Sequence, residues 1–155
     1  MLLDIQNNII SKLIELAKQT PYFTIIRSIP GIGDLTCARL MAEIGDISRF
    51  KKSEQINAFI GVDPIIDQSG IKDGKHLCIS KKGNKIARSI FFLIVRSMIR
   101  KKVKDNSIKV YYYKKKAQPN ISPKVALFAC VNKLIRIIHS LCKSGQIYTY
   151  SIPQK

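Results

Sequence analysis

Apolar residues recur at spacings of three and four from Leu2 through Ile5, Ile9 and Leu13 to Leu16. This stripe predicts a helix over residues 2–18, closed by Pro21. It suits a core face or one strand of a coiled coil, and its length does not separate the two. A short helix ending near Ser28 comes next, then Ile29-Pro30-Gly31-Ile32-Gly33, then a helix from Asp34 to Ile44 stopped by Gly45. Ser53 reads as the cap of a helix reaching Phe59, with Glu54 in its first turn and Gly61 at its end. The helical period is lost over residues 62–83, which Pro64, Gly70, Gly74 and Gly83 punctuate. Short strands fit there, for example 65–67 against 76–79, and predict a small β-hairpin or an ordered loop. Asn84 can cap a long helix through about Lys102, with Ile86, Ile90, Leu93, Ile94 and Met98 facing inward. A helix over Ser107–Lys116 carries Tyr111-Tyr112-Tyr113 and Lys114-Lys115-Lys116, and Gln118-Pro119-Asn120 breaks it. Ser122 and Pro123 open a last helix to about Lys143, which Gly145 ends. No repeat of solenoid period occurs. The pattern predicts a mainly α fold with a helix-hairpin-helix-like motif and a small β-hairpin or ordered loop around 62–83.

Charge changes this picture more than composition does. A chain of 155 residues with 46% hydrophobic residues suits one domain with a real core. Its formal charge of +17 is unevenly placed. Residues 1–71 carry −1, residues 72–116 carry +13, and residues 117–155 carry +5 with no acid at all. Such a block repels itself and calls for an anionic partner, and nucleic acid is the commonest one. The alternative is a solvated basic face without a partner. A membrane-surface helix fits less well, because the cations are spread over helices and loops alike. No basic segment precedes an apolar core at the N-terminus, and the apolar run from Ile90 to Val95 is closed by Arg96, so neither a secretory signal nor a membrane partner is expected. The four cysteines, Cys37, Cys78, Cys130 and Cys142, lack CxxC spacing. Cys130 and Cys142 read as core thiols, and His76 with Cys78 has no second ligand pair, which argues against zinc. A reducing cytoplasm fits.

Two constellations carry candidate chemistry. In Ile29-Pro30-Gly31-Ile32-Gly33, with Ala38 downstream, the glycines permit a tight turn that presents free N–H groups at a helix N-terminus, where a phosphate can bind. Contacts of this kind position DNA without reading its sequence. A plain interhelical turn is the alternative. The second constellation runs Gly61-Val62-Asp63-Pro64, Gln68-Ser69-Gly70, Ile79-Ser80-Lys81-Lys82-Gly83-Asn84 and Arg88. An isolated Ser-Gly is usually a turn. Here Lys75, His76, Lys81, Lys82 and Arg88 follow within twenty residues and could stabilise charge on a phosphate under attack by Ser69. Ser80 is a second hydroxyl in a similar setting.

Taken in order, Ser28 to Gly33, Glu43-Ile44-Gly45-Asp46 with Arg49-Phe50, Gly61 to Pro64, Gln68-Ser69-Gly70 and Ile79 to Asn84 with Arg88 resemble the C-terminal domain of a bacterial insertion-sequence transposase family. This is the family with an N-terminal RuvC-like acidic domain, of the IS-one-hundred-ten/one-hundred-sixteen type, also known as bridge-RNA-guided recombinases. The resemblance covers roughly residues 1–150. It implies a linker helix over 1–20, a DNA-binding and serine domain over 21–155, and Ser69 as the nucleophile that forms a phosphoserine link to DNA. From the two constellations themselves, Gly31, Gly33, Lys75, Lys81, Lys82, Asn84 and Arg88 are the candidate DNA contacts. DNA is the implied partner, together with a guide RNA and a second transposase copy, which residues 2–18 could engage. The ten acidic residues show no pair suited to two metals, so no cofactor is expected in this chain. Mg²⁺ is expected only with the acidic domain, which would precede this region. The chain alone is then expected to bind DNA without cleaving it. A non-catalytic DNA- or RNA-binding module, with Tyr111 to Tyr113 stacking on unpaired bases, is the alternative.

Overall fold

The computed structural model describes residues 1–63, 79–100, 102–104 and 106–150. Seven α-helices form there: α1 (Leu2–Lys18), α2 (Phe23–Arg27), α3 (Asp34–Ile44), α4 (Ser53–Ile60), α5 (Lys85–Met98), α6 (Ser107–Lys116) and α7 (Pro123–Ser144). A 3-10 turn, Ile47–Arg49, joins α3 to α4. The fold is therefore mainly α, and no strand occurs among the described residues. The segments 65–67 and 76–78, expected to pair, lie outside the described residues.

The last helix organises the rest. Ser122 caps α7, accepting from the N–H of Val125 at 3.3 Å, and Pro123 occupies the first turn. Ala126, Cys130, Val131, Leu134, Ile135, Ile138 and Cys142 recur at helical spacing and are buried against α2, α4, α5, α6 and the 3-10 turn. By length and hydropathy α7, rather than the helix holding the apolar run at 90–95, is the one among the described residues that could cross a membrane. Its buried stripe is here the core of the domain. Burial pushes the thiols of Cys130 and Cys142 up, to about 11 and about 12, in keeping with core cysteines.

Three expectations need correction. The helix from Asn84 ends at Met98, four residues short of Lys102, because Asn106 turns back and donates from its amide to the Met98 carbonyl at 3.2 Å. Asn106 is fully buried, and its Oδ1 caps α6 by accepting from Ile108 and Lys109. The inward face of α5 is Ala87, Ile90, Phe91, Ile94, Val95 and Met98, whereas Ile86 and Leu93 are more than half exposed. These two stand seven residues apart and share the edge beside the buried stripe. Ser53 is not a cap. It is the first residue of α4, and the Gln55 side chain instead accepts from the N–H groups of Lys51 and Lys52 at 2.6 and 3.3 Å.

Helix α1 packs on α3, and Ala17 is its only buried residue. Leu13 and Ile14 lie partly against the core, while Leu2, Ile5, Ile9 and Leu16 remain exposed. Most of the stripe read from the sequence is thus not covered by this domain.

Candidate nucleic-acid interface

Among the described residues, three of the short motifs, Glu43 to Asp46 with Arg49-Phe50, Gly61 to Asp63, and Ser80 to Asn84 with Arg88, are neighbours in space. Gly61 ends α4 in the left-handed conformation, with φ of 70°. From there Val62 and Asp63 run beside residues 80–83. The N–H of Ser80 donates to the Asp63 carbonyl at 3.0 Å, that of Lys81 to Gly61 at 3.1 Å, and that of Asn84 to Phe59 at 2.7 Å. Gly83 sits directly on the end of α4: a Cβ there would come within 2.3 Å of the Phe59 carbonyl oxygen and 2.5 Å of the Gly61 nitrogen. Glycine is the residue that fits.

Two arginines take the last carbonyls of helices. Arg88 donates to Ile60 of α4 at 2.8 Å, and Arg49 donates to Ile44 of α3 at 2.8 Å. Cations at helix C-termini complement the dipole and satisfy orphan carbonyls. Arg49 also lies over the rings of Phe50 and Phe59, at 4.6 and 5.0 Å. Asn84 has a comparable double task. Its Oδ1 caps α5 by accepting from Ile86 and Ala87, and its Nδ2 donates to Glu43 of α3 at 2.8 Å. Sequence reasoning finds the cap but misses the Glu43 link and the carbonyl-clamping roles of Arg49 and Arg88. The C-terminal glycines at 45 and 61, each with an arginine further along the chain, are the available signal.

Lys81 and Lys82 project from this same junction and are exposed, as is Lys85 in the first turn of α5. Lys81 adopts φ of 53°, a left-handed conformation unusual for a residue with a side chain. The sequence-predicted positions therefore divide. Asn84 and Arg88 are engaged with protein groups, while Lys81 and Lys82 face solvent. Ser69 and Lys75 lie outside the described residues. Replacing Arg88 with methionine should destabilise the fold by about 2 kcal/mol in urea denaturation, since the Ile60 carbonyl loses a charged donor. Lys81→Ala should leave stability within about 0.5 kcal/mol while weakening binding of a polyanion. Equal stability of the two variants would refute the clamp.

The glycine turn between α2 and α3 packs on the end of α5 through Gly31 and leaves Gly33 open. Gly31, with φ of 88°, turns its α-carbon towards the end of α5, where a Cβ would meet Met98 at 3.1–3.4 Å. Its close approach is to the protein itself. Gly33 caps α3 without a side-chain hydrogen bond and has open space around its α-carbon. The adjacent Asp34 is paired with Arg27, whose guanidinium holds the carboxyl below the usual carboxylate range. A carboxylate in the first turn competes with a phosphate for the same dipole.

Among the described residues, both ion pairs, Met1 with Asp4 and Arg27 with Asp34, lie in the near-neutral first part of the chain. Lys81, Lys82, Arg96, Arg100, Lys102, Lys114 and Lys116 are exposed and enter no ion pair there.

Residues 23–112 match the family described as the Transposase IS116/IS110/IS902 family. The chain is 35% identical over 123 residues to the transposase for insertion sequence element IS1111A of Coxiella burnetii, covering 79% of this chain and 33% of that protein. It is 28% identical over 125 residues to the pilin gene-inverting protein of Moraxella bovis, covering 79% of this chain and 37% of that protein. A 43.6 kDa protein of insertion element IS110 from Streptomyces coelicolor is 23% identical over 134 residues, covering 86% and 32%. The chain spans about a third of the length of these relatives. With more than half of its residues inside the family match, the chain belongs to the Transposase IS116/IS110/IS902 family.

Proposed function

We propose that this chain is the DNA-binding, serine-bearing domain of a transposase that acts in DNA transposition or recombination. The observation that carries the reading is the closed junction at 59–63 and 80–84, from which exposed Lys81 and Lys82 project. The Gln68-Ser69-Gly70 segment runs in sequence between the two sides of that junction. Family membership supports it, since relatives bear the names transposase and pilin gene-inverting protein.

In this reading Lys75, Lys81 and Lys82 attract the DNA backbone. Asn84 and Arg88 keep the lysine turn in place. Ser69 attacks a DNA phosphodiester. A bond forms between its oxygen and phosphorus, a phosphorus–oxygen bond to the DNA breaks, and the proton that the Ser69 hydroxyl gives up balances the one that the departing DNA oxygen takes up to become a hydroxyl. A later attack by a DNA hydroxyl reverses the link. The domain division is part of the reading: 1–20 as a linker helix whose exposed apolar stripe meets a second transposase copy, and 21–155 as the DNA domain. A guide RNA is a further partner, and the location is cytoplasmic, where the DNA is.

Binding to duplex DNA across a salt series tests the reading. The affinity should fall log-linearly, with a slope of about −0.9 per neutralised phosphate. The Lys81→Ala, Lys82→Ala double variant should lose about two phosphates' worth of that slope. No binding to any nucleic acid at low salt would refute the reading.

A further inference from the structure

A second cationic surface shares no residue with the lysine junction. Helices α6 and α7 and the segment 146–150 enclose an open groove of about 780 Å³, within the range of small-ligand sites. Tyr111, Tyr148 and Tyr150 contribute aromatic walls, Lys133 and Arg136 contribute charge, and no carboxylate lines it among the described residues. The Lys133 ammonium lies 4.5 Å from the Tyr111 ring centre, and Lys115 lies 5.7 Å away on the same ring. Tyr148 is fixed at both ends. Its hydroxyl accepts from the N–H of Ser107 at 3.1 Å, and its own N–H donates to Ser28 Oγ at 2.8 Å. The tail therefore stands as a wall of the groove.

The run Tyr111 to Tyr113 is divided by this arrangement. Tyr112 is buried in the core and stabilises α6 on α7. Tyr111 is half-buried in the groove, and Tyr113 points to solvent.

We propose that this groove binds an unpaired nucleotide of a single strand, with the base on the Tyr148 and Tyr150 walls and the phosphate at Lys133 and Arg136. The inference rests on the nucleic-acid reading above and adds a site to it. Charge complementarity selects an anion, because the described residues that line the groove include two cations and no acid, and the one carboxylate that acts on Arg136, Glu54, stands outside the lining. The tyrosines select a base, because every unpaired base offers a flat face for stacking, whereas the faces within a duplex are covered by their neighbours. RNA and DNA strands share this chemistry.

The test measures fluorescence anisotropy of the full chain with labelled oligo-U, oligo-dT and a short duplex. The Arg136→Ala, Tyr150→Ala double variant alters residues outside the buried core. It should bind both single strands about tenfold more weakly and the duplex as tightly as the unmodified chain. The ratio of the oligo-U and oligo-dT affinities tells which strand is preferred. Photocrosslinking of 5-iodouracil oligonucleotides, read by mass spectrometry, should label Tyr148 or Tyr150. Unchanged single-strand binding, or equal loss on duplex and single strand, would overturn the groove assignment and leave the DNA reading standing. Polyglutamate that binds the unmodified chain and loses affinity about tenfold on the double variant would show that the groove takes acidic peptides, and would also overturn it. If the unmodified chain binds none of the three probes, the broader reading falls first.

Discussion

Gly83→Ala is expected to destabilise the domain by about 3 kcal/mol, an overpacking cost at the upper end of the usual range. The new methyl would stand 2.3 Å from the Phe59 carbonyl oxygen, 2.5 Å from the Gly61 nitrogen and 2.7 Å from the Ile60 carbonyl carbon. All three are backbone atoms, so no side-chain rotation relieves the contact. The end of α4 would have to separate from the lysine turn. That would break the 2.7 Å hydrogen bond from Asn84 to Phe59 and draw Arg88 away from Ile60. In thermal unfolding, the loss corresponds to a fall in Tm of roughly 6–12 °C for a chain of this size. Gly145→Ala is the control. That residue has φ of 70°, but a Cβ there would meet nothing within 4 Å, so only the conformational cost of about 1 kcal/mol applies. Equal losses in the two variants would show that the junction does not close as described. DNA affinity should fall with Gly83→Ala even below its unfolding temperature, because Lys81 and Lys82 would no longer be held at one place.

The second large effect concerns Ser69. Joined behind the RuvC-like acidic domain of a full-length family member, the chain should capture nicked DNA covalently, and Ser69→Ala should reduce that product about a thousandfold or more. Ser80→Ala is the informative comparison. Its hydroxyl is a second candidate nucleophile, and its N–H closes the junction through Asp63. The substitution keeps that backbone bond, so covalent product should persist. Product that survives Ser69→Ala and vanishes with Ser80→Ala would transfer the nucleophile to the junction itself. Phosphoserine recovered at position 69 from the trapped complex would support the assignment independently of rate.

Helix α1 and the chain from α2 to α3 are legible from local rules, because Pro21, Gly33 and Gly45 act within one or two turns. The same holds for the caps at Asn84 and Ser122, where a side chain bonds to backbone two or three residues on. Ile86 and Leu93 are misplaced by periodicity because a stripe of helical period leaves its own width open, and only the packing of α5 on α3 and α7 chooses the edge. The end of α5 depends on Asn106, eight residues beyond Met98, a contact that periodicity cannot register.

By itself, the sequence determined the helical class, most of the helix termini, the sign and placement of the charge, and the order of motifs that marks the family. These are properties of residues taken locally or counted along the chain. The tertiary structure decided which of those residues remain available. It committed Asn84 to Glu43, Arg88 to Ile60 and Gly31 to Met98, and left Lys81, Lys82 and the tyrosine groove open. The physical reason is that a buried polar group must find a partner, and a tightly packed glycine a neighbour that fits it. Which partner or neighbour that is depends on where helices distant in sequence come to rest.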